Sequence, residues 1–245
     1  NKFGISMVVV KNSTHPGALA SIVIPAAKRG YVAFAFTNSD SLMLSYDGKK
    51  KLLGTNPICF VAPNGEDEPF CLDMATTAYT FNKLLLFKKM GLKLPDNFAA
   101  DKKGNMTNDP NTAFSLFPSG GYKGFGLSIM VEIITAIFAN MPLDFEIPGM
   151  YSKSKKLRKI SQTYIIIKIK SFSSNKIFEK NLKKLSKKIR SDSKGINKSQ
   201  MPNDPENKIM KQRLKYGIPI IKETFEELKK LSEKYKIKLK VINGS

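Results

Sequence analysis

The sequence predicts an α/β fold, a mixed sheet flanked by helices, on three observations. A β-branched run at 5–11, an Ala-rich apolar run at 18–28 and a second strand-like run at 31–37 place strand, helix and strand within the first 37 residues, the size of a βαβ-like unit. Two short apolar runs, 58–62 and 70–73, flank a loop holding Asn64-Gly65, a hairpin signal. A glycine-rich stretch, Gly120-Gly121-Tyr122-Lys123-Gly124-Phe125-Gly126, then leads into an apolar helix predicted over 127–140.

Taken in order, the first strand ends in loop chemistry, Asn12-Ser13-Thr14-His15-Pro16-Gly17, with Pro16 where a helix can start and Arg29-Gly30 as its stop. His15 therefore falls at a strand-to-helix junction, where side chains face clefts. Residues 38–55 are polar and rich in turns and run into Gly54-Thr55-Asn56-Pro57. A helix is predicted over 74–89. Residues 91–118 read as a long connection holding Pro95, Gly104 and Pro110, and connections of that length are usually functional or mobile. Beyond Pro148 the pattern loosens: a basic run at 153–159, a strand at 163–169, a basic amphipathic helix at 175–190 and a polar loop at 191–205. A terminal helix at 218–235 and a last strand at 237–242 complete the prediction, with no internal repeat.

The 245 residues carry a net charge of +21, which read alone suggests nucleic acid or an anionic membrane surface. Its location argues against both. Residues 151–200 hold 16 Lys/Arg against 2 Asp/Glu, while residues 1–150 hold 14 against 12. Lys outnumbers Arg 37 to 4, whereas a surface that reads phosphates and bases favours the forked guanidinium. The charge is read as a solvated lysine-rich surface, with no specific nucleic-acid partner. The longest apolar run contains Glu132 and is shorter than the roughly 20 residues that cross a bilayer, so no membrane span is expected. Cys59 and Cys71 fit neither a zinc spacing nor a disulfide framework, so no metal is expected and a reducing, cytoplasmic setting is.

Three groups of residues can carry chemistry. His15 is the only histidine, the residue type whose unperturbed pKa lies nearest neutrality, which suits it to proton transfer at a hydroxyl or carbonyl, although a loop histidine is often incidental. The glycine stretch with Lys123 ahead of a helix offers free N–H groups and a positive charge to a phosphate or carboxylate, but it lacks the order of a P-loop or a Rossmann turn, and a tightly packed helix entry explains it equally. Asp73-Met74-Ala75-Thr76-Thr77 places an acid at a strand end, where it can hold a ribose or cap a helix.

In this order, Asn12-Ser13-Thr14-His15-x-Gly17, Thr37-Asn38-Ser39, Gly54-Thr55-Asn56-Pro57, Asp73-Met74-Ala75-Thr76-Thr77, Asp101-x-x-Gly104-x-x-Thr107-x-Asp109-Pro110 and Gly120-Gly121-Tyr122-Lys123-Gly124-x-Gly126 resemble the malate/L-lactate dehydrogenase family, which includes ureidoglycolate, sulfolactate and diketogulonate dehydrogenases and piperidine-2-carboxylate reductase. The resemblance implies a sulfolactate-dehydrogenase-like fold distinct from the Rossmann fold, NAD or NADP as cofactor, a small 2-hydroxy or 2-oxo acid as substrate, and a homodimer. It implies His15 as proton donor and acceptor, Ser39, Asp73, Met74, Ala75, Gly121 and Lys123 at the cofactor, and Asn56 near the substrate. It also implies a cofactor-binding and catalytic core over 1–150, a lysine-rich C-terminal part of the same fold over 151–245, and a helical portion ahead of Asn1 that supplies an arginine for the substrate carboxylate. The alternative expectation is a catalytically inactive descendant or fragment that retains only cofactor or partner binding.

Overall fold

The larger sheet is built from β1 (Ile5–Ser13), β2 (Tyr31–Thr37), β5 (Ile58–Ala62), β6 (Phe70–Met74) and β10 (Ile160–Lys168), in the order β1-β10-β2-β5-β6. The computed structural model describes residues 3–65, 67–194 and 197–239. Every neighbouring pair in this sheet is antiparallel. The β-α-β unit of the first 37 residues is present, but β10 is inserted between its two strands, which therefore run parallel without touching.

Helix α1 (Leu19–Lys28) covers one face of the sheet. Its Leu19, Val23 and Ala27 pack with Ala33 and Ala35 of β2, Cys59 and Val61 of β5, and Cys71 of β6. Small residues at 33 and 35 let the helix approach the strands closely. Successive strand residues face opposite ways, so Phe36 and Thr163 lie on the other face, where α3 (Tyr122–Glu132) continues as a π-helical stretch at Ile133–Ile137. Thr163 donates its hydroxyl to Ile134 O at 2.6 Å and joins the two layers.

A second sheet has the order β4-β3-β9-β7-β8. It joins β3 (Met43–Leu44) and β4 (Lys51–Leu53) to β7 (Ala99–Ala100), β8 (Met106–Thr107) and β9 (Ser115–Leu116), with β3 parallel to β9. The predicted long connection at 91–118 thus supplies three short strands. They close a second core of Leu84, Leu94, Phe98, Ala99 and Leu116 against α2 (Phe81–Met90), with the Tyr79 and Phe98 rings stacked at 4.2 Å.

Two helix boundaries differ from expectation for identifiable reasons. The helix predicted over 74–89 begins only at Phe81, because residues through Met74 pair with β5 and Thr80 caps α2, accepting from Lys83 N at 3.2 Å. The helix predicted over 127–140 begins at Tyr122, inside the glycine stretch. A Cβ on Gly124 would stand 2.5 Å from Thr76 O and from Ser119 N and O, so close backbone packing there outweighs the poor helix propensity of glycine.

The chain divides into compact units at Asn1–Lys187 and Lys188–Ser245, and the first contains β10 as well as residues 1–150. Helix α4 (Asn175–Arg190) has its predicted limits. In the second unit, the predicted polar loop at 191–205 contains the two-residue strands β11 (Ser193–Lys194) and β12 (Asn197–Lys198). It leads into a helix the sequence reading missed, α5 (Asp204–Tyr216), and α6 (Lys222–Tyr235) starts later than predicted. Residues 237–239 form no strand, and residues 240–242 of the predicted last strand lie outside the described residues.

Candidate active site

An antiparallel order puts the C-terminal ends of β1, β2 and β6 and the N-terminal ends of β5 and β10 at the same end of the sheet. The segments leaving those ends enclose a cavity of about 470 Å³. His15 follows β1, Ser39 and Asp40 follow β2, Asp73 and Met74 close β6 with Ala75 next in line, and Arg158 precedes β10; all line this cavity. Strand ends are where a rigid sheet can hold side chains that its own ladder does not use.

His15 is oriented by its own turn. Gly17 N donates to Nδ1 at 3.0 Å, which assigns the proton of the neutral ring to Nε2. Gly17 adopts φ +76°, which favours glycine, and an added Cβ there would meet open space, so the backbone conformation rather than crowding calls for glycine. Nε2–H is thereby a hydrogen-bond donor available to a carbonyl oxygen; to transfer a proton the ring must first be doubly protonated, exchanging the Gly17 N contact for a proton on Nδ1, and it is then left neutral as the base for the reverse direction.

Asp73 does both things an acid at a strand end can do. Its Oδ2 accepts from Ala20 N at 2.8 Å, and Ala20 lies in the first turn of α1, whose own N-cap, Ala18, has no side-chain acceptor. Asp73 caps α1 from across the sheet, and its carboxyl still lines the cavity. Desolvation by the surrounding walls moves its pKa above the usual aspartate value, against the lowering effect of the Ala20 N–H, although the residue stays open to solvent at the mouth.

Ser39 accepts from Thr55 N at 3.1 Å and so ties the end of β2 to the Gly-Thr-Asn-Pro turn. Asn56 is fully buried behind that turn and does not itself line the cavity. Its Nδ2 donates to Asp144 Oδ2 at 2.7 Å and to Ser128 O at 3.2 Å. Asp144 Oδ2 also accepts from Gly54 N at 2.6 Å, and Asp144 N donates to Glu132 Oε1 at 2.8 Å. Burial raises both carboxyls, Glu132 to about 9, and no cation pairs with either among the described residues. Asp144 Oδ1 and Glu132 Oε2 are both without a partner in the absence of a shared proton. One proton held by Glu132 satisfies both, because the two donors on Asp144 favour its charged form.

Gly121 and Lys123 stand apart from this group. Neither lines the cavity; Gly121 is the N-cap of α3, and Lys123 is exposed on its first turn. Their turn is nonetheless bound to the cavity wall, since Ser119 N donates to Thr76 O at 2.9 Å, one residue beyond Ala75. Sequence reasoning missed Asp40, Arg158 and the Glu132–Asp144 pair. The signals were present: Arg158 is one of four arginines against 37 lysines, and Glu132 interrupts an apolar run.

A sequence profile of the malate/L-lactate dehydrogenase family matches residues 1–229. The chain belongs to this family. It is 28% identical to an Escherichia coli ureidoglycolate dehydrogenase (NAD(+)), over 92% of this chain and 65% of that protein. It is 34% identical to a (2R)-3-sulfolactate dehydrogenase (NADP(+)) of Chromohalobacter salexigens, over 61% of this chain and 46% of that protein. The chain thus spans less than two thirds of the length of these curated relatives. Among solved structures, malate dehydrogenase from Entamoeba histolytica superposes with a TM-score of 0.90 at 28% identity, over 98% of this chain and 71% of that one. Sulfolactate dehydrogenase from Methanocaldococcus jannaschii gives 0.82 at 27%, over 94% and 67%. The fold is therefore that of the malate/L-lactate dehydrogenase family, and its relatives are named for both nicotinamide cofactors.

The residues of the cavity fit one end of such a cofactor. Leu42, Pro57, Met74, Ala75 and Phe81 offer apolar walls to a flat ring, and Asp73 keeps an oxygen free of protein donors among the described residues for a sugar hydroxyl. The volume of about 470 Å³ lies in the range of ordinary small-molecule sites.

Proposed function

We propose that this protein is an NAD- or NADP-dependent oxidoreductase that interconverts a small 2-hydroxy acid and its 2-oxo acid. The observation that carries the reading is His15, a histidine with Nδ1 engaged by Gly17 N, sharing one cavity with Ser39, Asp73, Met74 and Ala75. In the reductive direction the doubly protonated ring gives its Nε2 proton to the keto oxygen and is left neutral, with its remaining proton on Nδ1 and the Gly17 N contact released; in the oxidative direction that neutral ring takes the hydroxyl proton at Nε2. The nicotinamide supplies or accepts the hydride when bound. Asp73, Met74 and Ala75 would hold its ribose and ring, Ser39 would fix the adjoining turn, and Asn56 would keep that turn rigid from behind. Gly121 and Lys123 would take a phosphate of the same cofactor, which extends beyond the cavity.

A cytoplasmic homodimer is part of the same proposal. Its support is a row of exposed apolar residues on α3 and its continuation, among them Ile129, Met130, Ile133, Ile137 and Phe138, at 39–61% exposure.

The test is absorbance at 340 nm with a panel of 2-oxo acids and both reduced cofactors, on wild type and His15→Asn. General acid–base help acts in the transition state, so the variant is expected to lose about 10²–10⁴-fold in turnover with unchanged cofactor affinity. Equal activity in the two proteins would overturn the role of His15, and a wild type that binds neither cofactor would overturn the whole reading.

A further inference from the structure

One charged group in the cavity has no part in proton transfer or in holding the cofactor. Arg158 pairs with Asp40, the two side chains being only 17% and 11% exposed. Its Nε donates to Pro148 O at 3.2 Å, and one terminal nitrogen donates to Asp40 Oδ1. Asp40 Oδ2 accepts from Met150 N at 3.3 Å, so the carboxylate is itself fixed by the 148–150 segment. A guanidinium has five N–H groups. Two are engaged here, which leaves three without a protein acceptor among the described residues, two of them on the second terminal nitrogen.

Here one side of a rigid planar group is fastened, and the residue lines the cavity that holds His15. The position also argues for selection of the guanidinium itself: the neighbouring basic residues at 153, 155, 156 and 159 are all lysine. A point charge on a flexible stem would pair with Asp40 as well, whereas two parallel N–H groups toward a carboxylate need the fork.

We propose that Arg158, oriented by Asp40, binds a carboxylate of the substrate. The proposal rests on the 2-oxo acid reading above and gives this chain an anion clamp of its own, at a position where the sequence suggested only a solvated basic run. Asp40 balances the charge of Arg158, so specificity comes from the directed N–H groups rather than from a net positive field.

The experiment is titration calorimetry of the chain saturated with the oxidised cofactor, which excludes turnover, using pyruvate and oxaloacetate as probes. Wild type is expected to bind at least one. Arg158→Gln is expected to weaken that binding tenfold or more with cofactor affinity unchanged. Loss toward both acids places Arg158 at the carboxylate beside the keto group; loss toward oxaloacetate alone places it at the distal one. Arg158→Lys keeps the pairing charge and guards against misfolding, and it is expected to retain wild-type thermal stability but not wild-type acid affinity. The exchanged pair, Asp40→Arg with Arg158→Asp, separates tether from clamp, with stability restored and acid binding still lost. Unchanged acid affinity in Arg158→Gln, or acid binding restored by the exchanged pair, overturns the clamp alone. A wild type that binds cofactor and neither acid overturns the clamp and the 2-oxo acid reading together.

Discussion

Asp73 shows how one residue serves stability and a site at once. Its Oδ2 accepts an N–H from the first turn of α1, and that contact is separable from its place in the cavity. Asp73→Ala removes the acceptor and is expected to cost about 1 kcal/mol, the usual effect of losing a helix cap. Asp73→Asn keeps an oxygen for Ala20 N and should retain most of that stability. Urea unfolding distinguishes them, and equal stability in all three proteins would show that the cap contributes nothing. His15 and Asn56 make the complementary point about legibility. His15 was readable because it is the only histidine and sits in a turn between strand and helix. Asn56 was readable as a motif residue, but its location behind the wall was not, because its partners Ser128 and Asp144 lie 72 and 88 residues away.

At the scale of elements, α3 and the turn after it are joined to the cavity floor by two buried acids. Glu132 is the last residue of α3, and Asp144 holds Gly54 N and Asn56 Nδ2. The Glu132 carboxyl is raised from 4.5 to about 9 by burial and by Asp144, so the folded state keeps a proton that the unfolded chain releases above its ordinary pKa. Stability from this group is therefore complete at acid pH, declines as pH rises past 4.5 and is gone beyond about 9. Glu132→Gln imitates the protonated form and keeps an oxygen for Asp144 N. Its melting temperature should fall less than that of wild type between pH 5 and pH 9. Parallel pH profiles for the two proteins would show that Glu132 does not hold the proton. Asp144 fits no local pattern, since a single acid in a turn carries no sign of burial.

Over the whole molecule, the basic excess lies almost entirely outside the candidate site: among the described basic residues of 151–200, Arg158 alone lines the cavity. Residues 151–200 carry 16 basic residues against 2 acidic, yet the same stretch contains β10, an interior strand of the larger sheet. Lys183 reaches Asp67 at 3.3 Å with both side chains largely exposed, a contact of small energetic weight. No helix among the described residues is long and apolar enough to cross a membrane. Any binding of DNA or RNA by the basic surface should come from counterion release alone and decline steeply between 50 and 200 mM salt, on the order of 10³-fold or more if several phosphates are contacted. Sequence-selective binding that persists at physiological salt, measured by fluorescence anisotropy, would instead assign this surface a recognition role.

Local periodicity determined the elements that depend only on near neighbours: the strands at 31–37 and 58–62, their hairpin partner, and the amphipathic helix at 175–190. The order of the glycine, asparagine and acid motifs likewise pointed to the family that the profile match shows. Tertiary structure alone decided that β10 enters between β1 and β2, that the glycine stretch is already helix, and that Arg158 meets Asp40 across 118 residues of sequence. The reason is physical. A strand or helix announces which face it buries through its own spacing, but the partner against which it buries that face, and the charges brought together when it does, depend on contacts that no local window contains.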